Sequence, residues 1–422
     1  MANYAMRIMR LHSRLALPLA GSRSHSFHFH SFMSRSFSTA QSYQAVRPQN
    51  SLPAAYYRGG TSRAVFFKQH DLPKNRGEWS DIFRGVIGSP DPHGRQLDGL
   101  GGGISSLSKI CVVGKSSRED ADVDYTFVAL GIKDDDVDYS SNCGNMTSAV
   151  GPFAVDERLV DVQTTGSDNT TTVRIHNTNT GKIIHSTFLI SDDGSEAASS
   201  GEFAIDGVSG HAARIQLDFV DPAGSRTGKL LPTGNPVDVF DGINVTCIDV
   251  GNPCCFVRAA DLNVEANITP DEIDTHPVLL SQLNSLRRQA GVAMGIADSP
   301  AAVPGSVPKI GLVGPPATNS RAISQNQTAE TVDLLIRALS VGQPHKAVPI
   351  TVALSIAAAA RVPGSVVAAC VQQELVDPAG ITVGHASGKL LVGAQFESDG
   401  RLACATVYRT ARRIMEGRVF WK

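Results

Sequence analysis

The strongest constraint on this chain is its rhythm of short β-rich runs broken by glycine and proline turns, run through twice with few long helical stretches. AAYYRGGTSRAVFF reads as a strand, a Gly59-Gly60 turn and a second strand from Ala64 to Phe67. DIFRGVIGS predicts a helix ended by Gly88, SPDPHGRQLDG a turn, and Ile110 to Val113 and VDYTFVAL two more strands. TTVRIHNTN and TGKIIHSTFLI flank an Asn/Thr/Gly turn as a hairpin, and ARIQLDFV adds a strand. From Gly242 the pattern restarts. INVTCIDVGNPCCFVRAADL holds two strands joined by GNP, a helix follows over about 278–291, and KIGLVG is a strand. TVDLLIRALS fits strand or helix, KAVPITVALSIAAAARV is mostly helix, and the remainder is strand, glycine turn, strand and hairpin. So many hairpins argue for an α+β fold of curved, mostly antiparallel sheets and against a doubly wound parallel sheet.

At 422 residues the chain exceeds one ordinary core and fits two domains of roughly 180 residues each. We place them at 54–235 and 236–422, with the chain end free to cross back. The helix in MTSAVGPFAVDERL contains Pro152, which predicts a late start near Gly151, a short helix or a kink. Residues 348–370 are apolar and alanine-rich but broken by Arg361, Pro363 and Gly364, which fits a buried helix better than a membrane span.

A formal net charge of -2, with no Lys/Arg cluster interleaved with aromatics, excludes a nucleic-acid binder. The seven cysteines include an adjacent pair and no CxxC, so neither a disulfide framework nor a zinc site is expected. Residues 1–50 read as a transit peptide and leader. Within residues 1–41, arginines stand at 7, 10, 14, 23 and 35 and serines abound, and the first acidic residue of the chain is Asp71. The expectation is mitochondrial (matrix) import, with a cytoplasmic protein as runner-up.

Two loops carry chemistry. In GLGGGISSLSK, consecutive glycines such as Gly102 and Gly103 can turn backbone N–H groups toward an anion, and Ser105, Ser106 and Ser108 add hydroxyls. Lys109 at its end is either a positive clamp or, if desolvated, a general base. The spacing matches neither a phosphate loop nor a dinucleotide fingerprint, and a surface loop with a solvated lysine is the plain alternative. In SSNCGNMTSAV, Cys143 stands at a helix start, where unpaired amides and the helix dipole favour a thiolate. Asn142 and Asn145 can donate to a carboxylate or enolate oxygen, and Gly144 lets the backbone pass close. The other six cysteines fit small packed residues, Cys254 and Cys255 least well because GNPCC reads as a turn. No GxSxG, HExxH or metal-spaced cluster occurs, so we expect no metal. RGGTSR, GNPCC, QPH and GHASGK are the remaining polar loops.

YRGGTSR, IGSPDPHGRQLDGLGGGISSLSK, DVDYTF, SSNCGNMTSAVGPFAV, GNPCCFV, SVGQPHKA and GHASGKL, in this order, resemble the PrpF-type aconitate/methylaconitate isomerases, relatives of methylitaconate Δ-isomerase and oxalomesaconate tautomerase. The resemblance runs from about Tyr57 to near the C-terminus. It implies a diaminopimelate-epimerase-like fold: two similar α+β domains, each a curved sheet around a central helix, with the active site in the cleft between them. It implies no organic cofactor and no metal, with Lys109 and Cys143 as the acid/base pair. The substrate-binding set it implies is Thr61, Ser62, Arg63, Gly102, Gly103, Ser105, Ser106, Ser108, Asn142, Gly144, Asn145, Asn252, Lys309, His345, His385, Ser387 and Gly388. Where the family often has RGGTSKG this chain has RGGTSRA, and Arg63 keeps the charge with a fork suited to a carboxylate. No second cysteine in a CGxG-type loop faces Cys143, which argues against a two-thiol racemase.

The function implied is an isomerase acting on a small unsaturated tricarboxylate, aconitate or 2-methylaconitate, by proton abstraction and return. The alternatives are a lyase or hydratase on the same acids, and a non-catalytic tricarboxylate-binding partner of an aconitase-like enzyme. No membrane partner is expected, and a homo-oligomer is compatible with the sequence.

Overall fold

Strands buried on both faces need an apolar layer on each side, and this requirement organises the chain. The computed structural model describes residues 49–139, 142–162, 169–316, 331–340 and 342–422. The expected leader lies outside the described residues as far as position 48, and the first strand starts at Asn50, earlier than Ala54. In Ser62–Lys68, Ala64 and Phe66 face the central core, whereas Val65 and Phe67 face an outer one. The outer core is closed by helix α1 (Trp79–Ile87), whose end is set by Gly88 at φ 81°.

The central core holds two helices. Helix α2 (Gly144–Asp156) is buried at every position from Met146 to Val155. It starts at Gly144 and runs through Pro152, so the expected late start is not found. A proline inside a helix costs about 3 kcal/mol. Burying Met146, Val150, Phe153 and Val155, at about 1.5–3 kcal/mol each, outweighs it.

In the second half, helix α3 (Pro270–Thr275) and helix α4 (Leu279–Ala293) close the outer core. A capping box between Thr269 and Glu272 starts α3. Helix α5 (Ile350–Ala359) is buried from Val352 onward, as expected for the alanine-rich run. TVDLLIRALS resolves to the strand Leu334–Ser340. Cys254 and Cys255 lie inside the strand Pro253–Arg258 and are wholly buried, so GNPCC is a turn only as far as Asn252.

The two halves repeat one order of elements. A hairpin (Asn50–Gly59 with Ser62–Lys68, then Ile243–Asp249 with Pro253–Arg258) leads through outer helix to a strand parallel to the hairpin's second arm. That strand is Lys109–Lys115 in the first half and Lys309–Gly314 in the second. An antiparallel neighbour follows (Val123–Leu130, Leu334–Ser340), then the buried helix, then a strand parallel to that neighbour (Thr170–Asn177, Ile381–His385). The remaining pairings are antiparallel.

The halves are stitched together. Leu402–Arg409 pairs with Ile215–Val220, and the last strand, Ala411–Trp421, returns to pair with the first, Asn50–Gly59. The ladder is anchored beneath α2 by Tyr57. Its hydroxyl donates to Asp156 Oδ2 at 2.5 Å, while Ala197 N–H donates to Oδ1 at 2.8 Å. Burial raises the pKa of this carboxyl, and donors are needed because a carboxylate at a helix C-terminus opposes the dipole. Tyr57→Phe removes only the hydroxyl and leaves Asp156 under-bonded. We expect a stability loss of about 1–3 kcal/mol, read as a lower urea midpoint at unchanged slope. An unchanged midpoint contradicts this role.

Candidate active site

The amino ends of the two buried helices meet. A Cβ built on Gly144, the first residue of α2, would lie 2.6 Å from Cγ1 of Ile350, the first residue of α5. Only glycine permits this approach. Two sets of free amide N–H groups and two positive dipole ends therefore face one region, a setting that favours anions.

Cys143 is the N-cap of α2, partly buried and packed on the central core. Its carbonyl accepts from Thr147 N–H at 3.0 Å and from the Thr147 hydroxyl at 3.1 Å. The same hydroxyl donates to Asn142 Oδ1 at 3.3 Å, which fixes that amide beside the thiol. Lys109 opens its strand on the inner face. It is 9% exposed, and its ammonium sits 5.1 Å from the centre of the Phe127 ring. Cys111 follows on the same face, its thiol 3.8 Å from the Tyr125 hydroxyl. Burial pushes the Cys111 thiol well up, and it lies within electrostatic range of both Cys143 and Lys109.

Asn145 donates from Nδ2 to Thr61 Oγ1 at 3.1 Å, tying α2 to the first hairpin. The hairpin passes so close that a Cβ on Gly59 would lie 2.5 Å from the Asn145 carbonyl. A loop crosses between the halves here. Gly207 approaches Thr61, and the Asp206 carboxylate accepts from Lys389 N–H, at a turn where Gly388 has φ 143° and a Cβ would strike Asp206. His385 stands at this turn, its Nδ1 accepting from Ser387 N–H at 3.2 Å. Burial lowers its pKa to about 4, against the pull of Asp206 and with the push of Arg337 and Arg409, so the ring is neutral at neutral pH. Ser387 N–H also donates to the Lys346 carbonyl, which brings His345 alongside. His345 is held below its ordinary pKa by burial and by Lys309. Asn252 lies in the hairpin turn beside α5, its carbonyl accepting from Ser355 Oγ at 3.5 Å.

The structure thus gathers Lys109, Asn142, Cys143, Gly144, Asn145 and Thr61 from the first half, and Lys309, His345, His385, Ser387 and Gly388 from the second. It sets other expected residues apart. Arg63 alternates to the outer face, 5.7 Å from the centre of the Tyr56 ring, and Ser62 is buried in the hairpin. The glycine loop does not converge on an anion. Gly99 N–H donates to the Gln96 carbonyl, Leu100 and Gly101 donate to the carbonyls of Val86 and Ile87, and Gly103 donates to Gln96 Oε1 at 2.9 Å. Ser108 is fully buried and gives its hydroxyl to Gln96 Oε1 at 2.7 Å. A Cβ on Gly102 would press on Leu107, so this glycine serves packing. Ser105 and Ser106 stay at the surface of a short 3-10 turn. The loop's task is to place Lys109, and Gln96 is its hub.

One further charged residue joins the site: Arg409, 9% exposed, at the end of Leu402–Arg409. The next residues lie against the first hairpin, with Gly60 N–H donating to the Thr410 carbonyl at 2.9 Å and Ala411 paired with Gly59. Burial lowers the arginine's pKa to about 10, and Cys143 counters that shift.

With this geometry in view, the comparisons with known proteins bear on the whole chain. The family model described as PrpF protein matches residues 49–422. The chain is 39% identical over 385 residues to 3-methylitaconate isomerase of Eubacterium barkeri, covering 88% of this chain and 97% of that one. It is also 39% identical over 390 residues to 2-methyl-aconitate isomerase of Shewanella oneidensis, covering 88% and 96%. The crystal structure of a methylitaconate-delta-isomerase matches with a TM-score of 0.80 at 38% identity, over 89% of this chain and 96% of that one. The α+β arrangement expected from the sequence is the one this chain adopts, and the chain belongs to the PrpF protein family.

Proposed function

We propose that the protein is an isomerase that shifts a C=C bond, or changes its geometry, in a small unsaturated tricarboxylate of the aconitate or 2-methylaconitate kind. The observation that carries this reading is the pairing of a buried lysine, Lys109, on the inner face of its strand with a partly buried cysteine, Cys143, at the N-cap of α2. Relatives 39% identical over most of the chain are named isomerases of 3-methylitaconate and 2-methyl-aconitate, which supports the substrate class.

The reaction needs a base, an acid and a way to hold negative charge. Neutral Lys109 removes the allylic proton. The electron pair passes into a dienolate, stabilised by the helix amides and by Asn142 and Asn145. Cys143 gives a proton to the far carbon, and the double bond ends one position along or in the other geometry. Lys309, at the repeat position equivalent to Lys109, and neutral His385 then face the substrate from the second half and hold its other carboxylates. The N-cap of α5 is Pro349 where α2 has Cys143, so the second half offers no matching thiol.

Lys109→Met and Cys143→Ala should each lower kcat by about 10²–10⁴-fold with 2-methylaconitate, with KM changed much less. Steady-state kinetics decides this, and a Lys109→Met enzyme that keeps more than a tenth of wild-type kcat sinks the assignment.

The arginines and serines of residues 1–40, with no acidic residue among them, support mitochondrial import as our reading of location. A fluorescent fusion of the full chain should co-localise with mitochondria, and one lacking residues 1–40 should stay in the cytosol. Cytosolic signal from the full chain argues against import.

A further inference from the structure

Charged side chains are seldom buried without a partner, because leaving water is costly for the ion. The arginines near the C-terminus obey this rule with one exception. Arg401 pairs with Asp221 and Glu397, Arg413 with Glu196 and Glu416, and Arg418 bonds the Ser51 hydroxyl and carbonyl. Arg412 is exposed. Arg409 is the deeply buried one, and among the described residues its guanidinium forms no ion pair. Its one hydrogen bond runs from Nη1 to the carbonyl of its neighbour Tyr408, at 3.1 Å. Two other buried arginines differ in place and purpose. Arg287 holds the carbonyls of Pro304 and Val307, and Arg337 holds that of Ile268 beside the outer helices.

Arg409 stands where an anion would be welcome. The residues that follow it lie against Gly59 and Gly60, which in turn touch Asn145 and Met146 in the first turn of α2. Arg409 lies within electrostatic range of both Cys143 and His385. The two helix amino ends add positive potential to the same region. The guanidinium and the two helix ends together suit a negative group that the described residues do not supply.

We propose that Arg409 grips one carboxylate of the substrate, holding it between the thiol of Cys143 and the facing amino ends of the two buried helices. This rests on the tricarboxylate reading above. A guanidinium offers a planar pair of N–H groups that matches a carboxylate, which a lysine cannot reproduce. It also cannot be deprotonated near neutral pH, so it anchors the substrate without entering the proton transfers. Lys109 is then left to act as base.

The test uses propane-1,2,3-tricarboxylate, a saturated tricarboxylate that cannot isomerise. Its binding to wild type, Arg409→Met and Arg409→Lys is measured by calorimetry, beside the rate of Cys143 alkylation by neutral iodoacetamide. We expect wild type to bind, Arg409→Met to bind roughly 30-fold more weakly or worse, and Arg409→Lys to fall between them. Alkylation should change far less than binding, by less than about tenfold, since Arg409 is one of several positive groups near the thiol while it is the substrate's main grip. Equal binding by wild type and Arg409→Met overturns the proposal, as does intact binding with alkylation lost. Should Arg409→Met fail to fold by circular dichroism, Arg409→Lys decides alone, and wild-type affinity in it overturns the proposal. A wild type that binds no tricarboxylate, yet alkylates normally, contradicts the proposed substrate class and the assignment with it.

Discussion

Everything in the site depends on how closely Gly144 and Ile350 approach. A methyl group on Gly144 would lie 2.6, 2.8 and 2.9 Å from three side-chain carbons of Ile350, nearer than real Cβ contacts come. With glycine the two buried helices meet end to end, and their unpaired amides open on one space. The strands around this shared core then carry Lys109 and Lys309 to equivalent positions, each at the start of its strand. Separating the helices would divide the positive potential and move Cys143 away from the second half.

The repeat is regular in backbone and unequal in chemistry. Lys109 and Lys309 match, whereas Cys143 and Pro349 do not. Such inequality suits a reaction in which a proton leaves one carbon and another arrives at a different carbon of the same molecule. In the proposed reaction the first half supplies the groups that carry protons. The second half holds His385, kept neutral by burial, and Arg409 ends the strand Leu402–Arg409, which pairs with Ile215–Val220 of the first half. The closing strand Ala411–Trp421 locks this arrangement by pairing with Asn50–Gly59 across nearly the whole length of the described chain.

Much of this was legible before any coordinates. Alternating and doubly apolar runs mark the strands, Gly88 marks the end of α1, and the cysteine between asparagines marks the start of α2, where the proposed site lies. What was not legible depended on partners distant in sequence. The glycine-rich loop reads as free for a ligand, yet the amides of Gly99, Leu100, Gly101 and Gly103 are taken by Gln96 and by carbonyls of α1, and no local spacing announces this. Pro152 argued against a long helix because its cost is local, whereas the burial that outweighs it is tertiary. Arg63 has the right charge for a carboxylate, but strand alternation sends it to the outer face. Arg409 sits among other arginines in YRTARR, and only the returning strand reveals that it is the buried one. The Thr269–Glu272 capping box, by contrast, was readable as TPDE and passed over.

The central claim is that one cleft exchanges protons on an unsaturated tricarboxylate and changes nothing else. Proton NMR of the wild-type protein in deuterated water, with 2-methylaconitate, cis-aconitate and trans-aconitate supplied in turn, tests it most directly. The account predicts that allylic protons of at least one of these acids are replaced by deuterium while an isomer of the same carbon skeleton accumulates. Release of carbon dioxide, appearance of a hydrated product, or no exchange with any of them would contradict it.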